Sequence, residues 1–138
     1  MLNPQERIRQ YQGTTFIFDP IRKKEVVLTP EEWVRQQIIF HLVSQKNYPE
    51  GNLSVEKMIR LGEKQKRYDL LVYHRENPWL LLECKEENVP INTATLQQAL
   101  AYVSTMKVEY LALSNGHQLF CYHLASQQWE HQFPNYPR

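Results

Sequence analysis

Only two cysteines occur in the sequence, Cys84 and Cys121, each inside an apolar run and without paired spacing. That excludes a disulfide framework and a cysteine-based zinc site. The five histidines, His41, His74, His117, His123 and His131, make no short-spaced ligand pair either. No apolar stretch is long enough to span a bilayer, and Met1 to Gln12 is polar, mixed in charge and without an apolar signal core. A cytoplasmic chain with no membrane contact is expected. The charges nearly cancel, to a formal +1. This neither requires nor forbids a nucleic-acid partner, because a local basic patch binds phosphate without a basic total. No internal repeat and no low-complexity segment is present.

What remains is an ordinary globular composition, 42% hydrophobic over 138 residues. A chain of this size is one domain that buries roughly two-thirds of its unfolded surface and needs no staples. The reading divides residues 1–138 into an N-terminal extension (1–28), a core (29–124) and a tail (125–138). Thr14–Phe18 and Lys24–Leu28 are short β-like runs around the turn Asp19-Pro20-Ile21-Arg22, a β-hairpin. Thr29-Pro30-Glu31-Glu32 is a helix start, with Thr29 as N-cap, Pro30 in the first turn and Glu32 able to close a capping box. Val34, Ile38, Ile39, Leu42 and Val43 follow at helical spacing to about Gln45. Lys46 to Asn52 reads as a loop.

Strands are predicted at Leu53–Leu61, Arg67–His74 and Trp79–Lys85, joined by short polar connections. The third is apolar on both faces at its start, as a covered central strand would be. A second helix is predicted from Thr93 to Lys107, capped by Asn92 or Thr93, with Leu96, Ala99, Leu100, Val103 and Met106 as its buried stripe. Val108–Leu113 and Leu119–Leu124 read as a hairpin around a primed turn at Asn115-Gly116. Trp129–Phe133 adds an edge strand, and Pro134 and Pro137 end order in the tail. The fold class is α/β, a mixed sheet between helices. Trp33, Trp79 and Trp129 read as core or interface aromatics.

One constellation carries chemistry. Period-two alternation puts Glu83 and Lys85 side by side at the end of the third strand. If the second and third strands pair as a hairpin, Asp69 lies opposite them. Charges partly removed from water must be paired or hold a metal. Two carboxylates and a backbone carbonyl suit Mg²⁺, which keeps several waters and takes few protein ligands. Lys85 can steady developing charge beside it.

In order, Asp69, Glu83-Cys84-Lys85 and Gln98-Ala99-Leu100-Ala101-Tyr102 resemble the PD-(D/E)XK nuclease motif followed by its QxxxY helix motif. Leu28-Thr29-Pro30-Glu31-Glu32-Trp33-Val34-Arg35-Gln36, Lys66-Arg67-Tyr68-Asp69 and Leu113-Ser114-Asn115-Gly116 resemble the N-terminal nuclease domain of type I restriction enzyme R subunits. The resemblance runs from about Leu28 to Leu124. It implies a restriction-endonuclease-like α-β-β-β-α-β core, and a Mg²⁺-dependent (or Mn²⁺-dependent) endonuclease that hydrolyses DNA phosphodiester bonds. By the same resemblance Asp69 and Glu83 ligate the metal, the Cys84 carbonyl adds a ligand, and Lys85 positions or activates the attacking water. Glu32 resembles the acidic residue of the first helix, which reaches the metal directly or through water. Gln98 and Tyr102 orient the site or contact DNA. Tyr68 stands where the motif has proline. With no Walker A loop the chain cannot translocate DNA, so a motor or restriction-modification subunit on another chain is the expected partner beside DNA itself.

Plainer readings stand next to these. Glu32 is also the capping-box position, and both roles stay open at this point. Gln98 can be solvated and Tyr102 simply packed. The clusters Arg22-Lys23-Lys24 and Lys64, Lys66, Arg67 could track phosphates or be solvated surface. The rival function is a non-catalytic nucleic-acid or protein-binding module that keeps the nuclease fold. A third is a structural domain whose carboxylates pair only with Lys85 and Arg67.

Overall fold

The order of apolar and polar residues builds two sheets. In the computed structural model, which describes residues 1–61, 63–103 and 107–138, the side chains of Ile59, Leu61, Lys64, Lys66 and Tyr102 lie outside the description. The expectations for Met106 and for the Tyr102 side chain therefore fall outside the described residues. The first sheet is antiparallel, of strands β1 (Ile8–Tyr11), β2 (Thr14–Asp19) and β3 (Lys24–Val27). The hairpin of β2 and β3 was expected, but β1 was not. All four β1 residues are exposed, so no apolar alternation marks them.

Helix α1 (Pro30–Phe40) begins where the capping signal places it, with the Glu32 N–H donating to the Thr29 hydroxyl. It runs on as a π-helical turn, His41–Gln45. The second sheet holds β4 (Leu53–Leu61), β5 (Lys64–His74), β6 (Asn77–Cys84), β7 (Tyr110–Ser114), β8 (Leu119–His123) and β9 (Gln128–Glu130) in that spatial order. β6 and β7 are parallel, linked through helix α2 (Thr93–Val103), and the other neighbours are antiparallel. A parallel pair needs such a crossover. Asn92 caps α2 by accepting the Thr95 N–H at 3.0 Å. Among the described residues no helix is long and apolar enough to cross a membrane.

Both faces of the large sheet are covered. Val34, Ile38 and Ile39 of α1, with Leu42 of the π-helical turn, pack on Leu70, Val72, Leu80 and Leu82. Ala99 and Val103 of α2 pack on Leu71, Leu81, Leu111 and Leu113. Alternation along β6 sends Leu80 and Leu82 one way and Leu81 the other. This is why that run looked apolar throughout.

Two further expectations need correction. Asn115-Gly116 is not a two-residue primed turn, since Ser114 pairs with Leu119 across a four-residue loop in which Gly116 alone has positive φ (+91). The Asn115 carboxamide organises that loop instead, its Oδ1 accepting the His117 and Gln118 N–H groups at 3.0 and 2.7 Å. The tail does not lose order at Pro134. Phe133 is buried, the Tyr48 hydroxyl donates to the Pro134 carbonyl at 2.5 Å, and the Tyr136 hydroxyl donates to Tyr73 O at 2.8 Å. Tyr136 also packs edge-on against Trp79 in the aromatic cluster with Tyr48.

Candidate active site

The site lies where β5 and β6 part. Their ladder runs from His74↔Asn77 to Leu70↔Leu82. β6 meanwhile stays on β7 through Cys84↔Ser114, and the Lys85 N–H donates to Ser114 O at 2.8 Å. Past Leu82, the Cys84 N–H goes to a side chain rather than to β5 backbone, donating to Asp69 Oδ2 at 2.7 Å. The fork thus brings Asp69 to the level of Glu83-Cys84-Lys85, as the strand reading required.

Asp69 is partly buried, with 23% of its side chain exposed. Its carboxyl is raised from 3.8 to about 6, first by burial and further by the charges of Glu31 and Glu83. The Cys84 N–H and Arg35 oppose this without cancelling it. Arg35 of α1 reaches Asp69 with one nitrogen, 3.4 Å from both the Asp69 carbonyl oxygen and Oδ1. The Asp69 carboxyl is thus short of positive charge.

Glu32 is in a different state. It is buried, and its oxygens take hydrogen bonds from Arg35 (2.7 and 3.0 Å), Arg22 (2.6 Å) and Gln36 (3.0 Å). Burial alone would raise its pKa, but these bonds hold it at about 2. Its carboxylate therefore serves the two arginines rather than turning back to the Thr29 N–H as a full capping box would. The first-helix carboxylate whose charge bears on Asp69 is that of exposed Glu31.

Glu56 closes the network. β4 pairs Val55 with Leu70 and Lys57 with Tyr68, which sets Glu56 opposite Asp69, with φ at +55. A non-glycine residue at positive φ costs on the order of 1–3 kcal/mol and persists only where its surroundings hold it. Here Glu56 accepts from Arg22 (3.0 Å), Arg35 (3.1 Å) and Arg67 (3.3 Å). Arg22 also binds Asp19 and so ties the small sheet to this end of α1.

The remaining candidates fall as follows. Lys85 is half-buried directly after β6. Gln98 is exposed on α2. Arg67 is exposed on β5 and pairs with Glu56, while Asp69 pairs with Arg35. The Cys84 thiol is buried and kept protonated, by burial first and then by Asp69, so Cys84 offers the site its backbone. Sequence reasoning gave Glu31, Arg35 and Glu56 no role and read Arg22 only as part of a basic cluster, whereas it pairs with Asp19, Glu32 and Glu56. Only the Glu32-to-Arg35 spacing, one helical turn, was a usable signal.

Among the described residues no group of three or more His, Cys, Asp and Glu side chains is arranged to hold a metal ion. Asp69, Glu83 and the Cys84 carbonyl are a smaller set of hard oxygen donors. Such a set suits a small divalent cation that keeps most of its water.

The sequence matches the family model described as type I restriction enzyme R protein N terminus (HSDR_N) over residues 30–136. No curated protein matches it significantly. A solved fragment described as an HsdR subunit of a type I restriction enzyme from Vibrio vulnificus YJ016 has a similar fold, with a TM-score of 0.58 and 21% identity. That likeness covers 78% of this chain, and the chain spans only 24% of that structure. With most of its length inside the matched region, the chain belongs to the family of type I restriction enzyme R protein N termini.

Proposed function

We propose that this chain is a metal-dependent endonuclease of the PD-(D/E)XK type, hydrolysing DNA phosphodiester bonds together with a motor or restriction-modification subunit on another chain. One observation carries the reading. A partly buried aspartate is held at a fork in the sheet with its pKa pushed up to about 6, facing Glu83 and Glu31 at the start of Glu83-Cys84-Lys85. A carboxyl displaced this far by burial and neighbouring charge is what a working site needs.

The donor chemistry fits Mg²⁺, with Mn²⁺ as a substitute: Asp69, Glu83 and the Cys84 carbonyl would hold it. When bound, such a cation supplies the positive charge that offsets the transferring phosphoryl group. Asp69 is kept in place by the Cys84 N–H and Arg35. Arg35 is kept in place by Glu32 and Glu56. The Lys85 ammonium orients the attacking water and stabilises the added negative charge at phosphorus. Water oxygen bonds to phosphorus as the bond to the 3′ oxygen breaks, leaving a 5′-phosphate and a 3′-hydroxyl. The α-β-β-β-α-β order of α1, β4, β5, β6, α2 and β7 is that expected of a restriction-endonuclease-like core.

The test is nicking of supercoiled plasmid in Mg²⁺ or Mn²⁺. Lys85→Ala is expected to lower the rate by about 10²–10³-fold while leaving the melting temperature within a few degrees. Native cleavage by the Lys85→Ala chain would remove the proposed role of that residue. Metal binding with no cleavage by the native chain would point to a nuclease that needs its partner subunit, whereas neither metal binding nor cleavage would sink the site and favour the binding-module reading.

A further inference from the structure

β4 and β5 outrun the rest of the sheet. β5 pairs with β6 only over Leu70–His74, whereas its pairing with β4 continues from Lys57↔Tyr68 to Leu61↔Lys64. Residues 57–61 and 64–68 therefore form a two-stranded antiparallel ribbon, about 17 Å long at the usual rise per residue. It starts one residue from Asp69, at the fork.

The ribbon is basic in a chain whose total charge is almost nil. Lys57, Arg60 and Arg67 are exposed, and the sequence adds Lys64 and Lys66 on β5 against Glu63 near the tip. Met58, the register partner of Arg67, is 46% exposed. Tyr68 anchors the base of the ribbon in the core, and a two-stranded ribbon by itself is marginal in water. This one carries a like-charged surface with an apolar side chain among the cations. Such a surface is complementary to a polyanion that also offers apolar edges.

We propose that the β4–β5 ribbon enters the major groove of duplex DNA, with Lys57, Arg60 and Arg67 on the flanking phosphates, and so lays one strand across the fork at Asp69. The groove width decides among nucleic acids. The major groove of B-form DNA, about 12 Å wide, admits a two-stranded ribbon, while the minor groove, about 6 Å, does not. The major groove of A-form RNA is too narrow for side chains to read. The proposal takes the fork as the cleavage site and so rests on the nuclease reading above.

Its test is binding by fluorescence anisotropy in EDTA, with a DNA duplex of about 20 base pairs titrated over a range of salt. Lys57→Gln/Arg60→Gln is expected to weaken binding at least tenfold and to reduce the log–log salt slope by about 2, near 0.9 per lost phosphate contact. Adding Arg67→Gln is expected to take the loss to about 3. The double variant leaves the Arg67–Glu56 pair in place, and thermal melts check that each variant folds. Single-stranded DNA and duplex RNA of the same length are expected to compete poorly. Variants with native affinity and slope would overturn the proposal, as would a native chain that binds no duplex or binds the competitors equally well. Plasmid nicking by Lys85→Ala separates the two readings, because cleavage reads the nuclease assignment and duplex affinity of the ribbon variants reads the ribbon. If Lys85→Ala still nicks plasmid, the nuclease assignment of that residue fails while the ribbon stands.

Discussion

Asp69→Asn is expected to melt several degrees above the native chain at about pH 8 in EDTA, and to lose metal-dependent nicking by about 10³-fold. The folded carboxyl titrates near 6 and the unfolded one near 3.8. A group whose pKa rises on folding gives its full stabilisation below the unfolded value and loses it as pH climbs through the folded one. At about pH 8 the ionised Asp69 therefore weakens the metal-free fold, by on the order of 2 kcal/mol once its partial exposure to water is allowed for. Asparagine removes the charge and keeps an oxygen for the Cys84 N–H. Arg35 retains Glu32 and Glu56 when its longer contact to Asp69 is lost. The gain should shrink as pH falls below about 5, where the native carboxyl is protonated too. Added Mg²⁺ should raise the melting temperature of the native chain and not that of the variant. Equal melting of the two chains at high pH would mean that Asp69 is not held at a cost, and would remove the observation on which the nuclease reading stands.

Glu32→Ala should have the opposite sign and a larger size. Glu32 is the shared partner of Arg22 and Arg35, all three largely out of water. Removing one member of a buried ionic cluster leaves its partners uncompensated, which costs about 3–5 kcal/mol. For a domain of this size that is a fall in melting temperature of roughly 10–15 °C. Glu32→Gln separates charge from volume. Because folding lowers the Glu32 pKa from 4.5 to about 2, its stabilisation is present above 4.5 and is lost as pH falls toward 2. The deficit of Glu32→Gln against the native chain should therefore be full at neutral pH and close across that window in urea titrations. A deficit that is the same at pH 3 and pH 7 would show that packing, not charge, is what Glu32 supplies.

Elements organised by local rules were legible in the sequence. Thr29-Pro30-Glu31-Glu32 announces α1, Asn92 caps α2, and alternation marks β4 to β8 because each lies on a face that must be covered. β1 was not legible, since it buries none of its four residues and is held by its backbone ladder and one exposed Arg9–Glu25 pair. The tail was misread for a related reason. Phe133 and Tyr136 dock singly between prolines, through one buried ring and one hydroxyl, and periodicity cannot register two isolated anchors. Within the site, Glu83 and Lys85 were visible because two residues of one strand suffice to place them. Asp69 was placed correctly only on the condition that β5 and β6 pair. Arg35 and Glu56 were not singled out, because the contacts from Arg35 to Asp69 and Glu56 reach 34 and 21 residues along the sequence and form only once β4 lies beside β5. The positive φ at Glu56 has no sequence marker, as glutamate is not a residue expected there.

The bond from the Cys84 amide to Asp69 gives the molecule a spectroscopic reporter of its own. That proton sits on the oxygen whose ionisation defines the site, so its chemical shift should follow the carboxyl with a midpoint near 6 and move again when a cation arrives. An amide is present in every isotope-labelled sample and needs no tag. One resonance would then record the charge state of the fork, and its rate of exchange with solvent would record how often the fork opens.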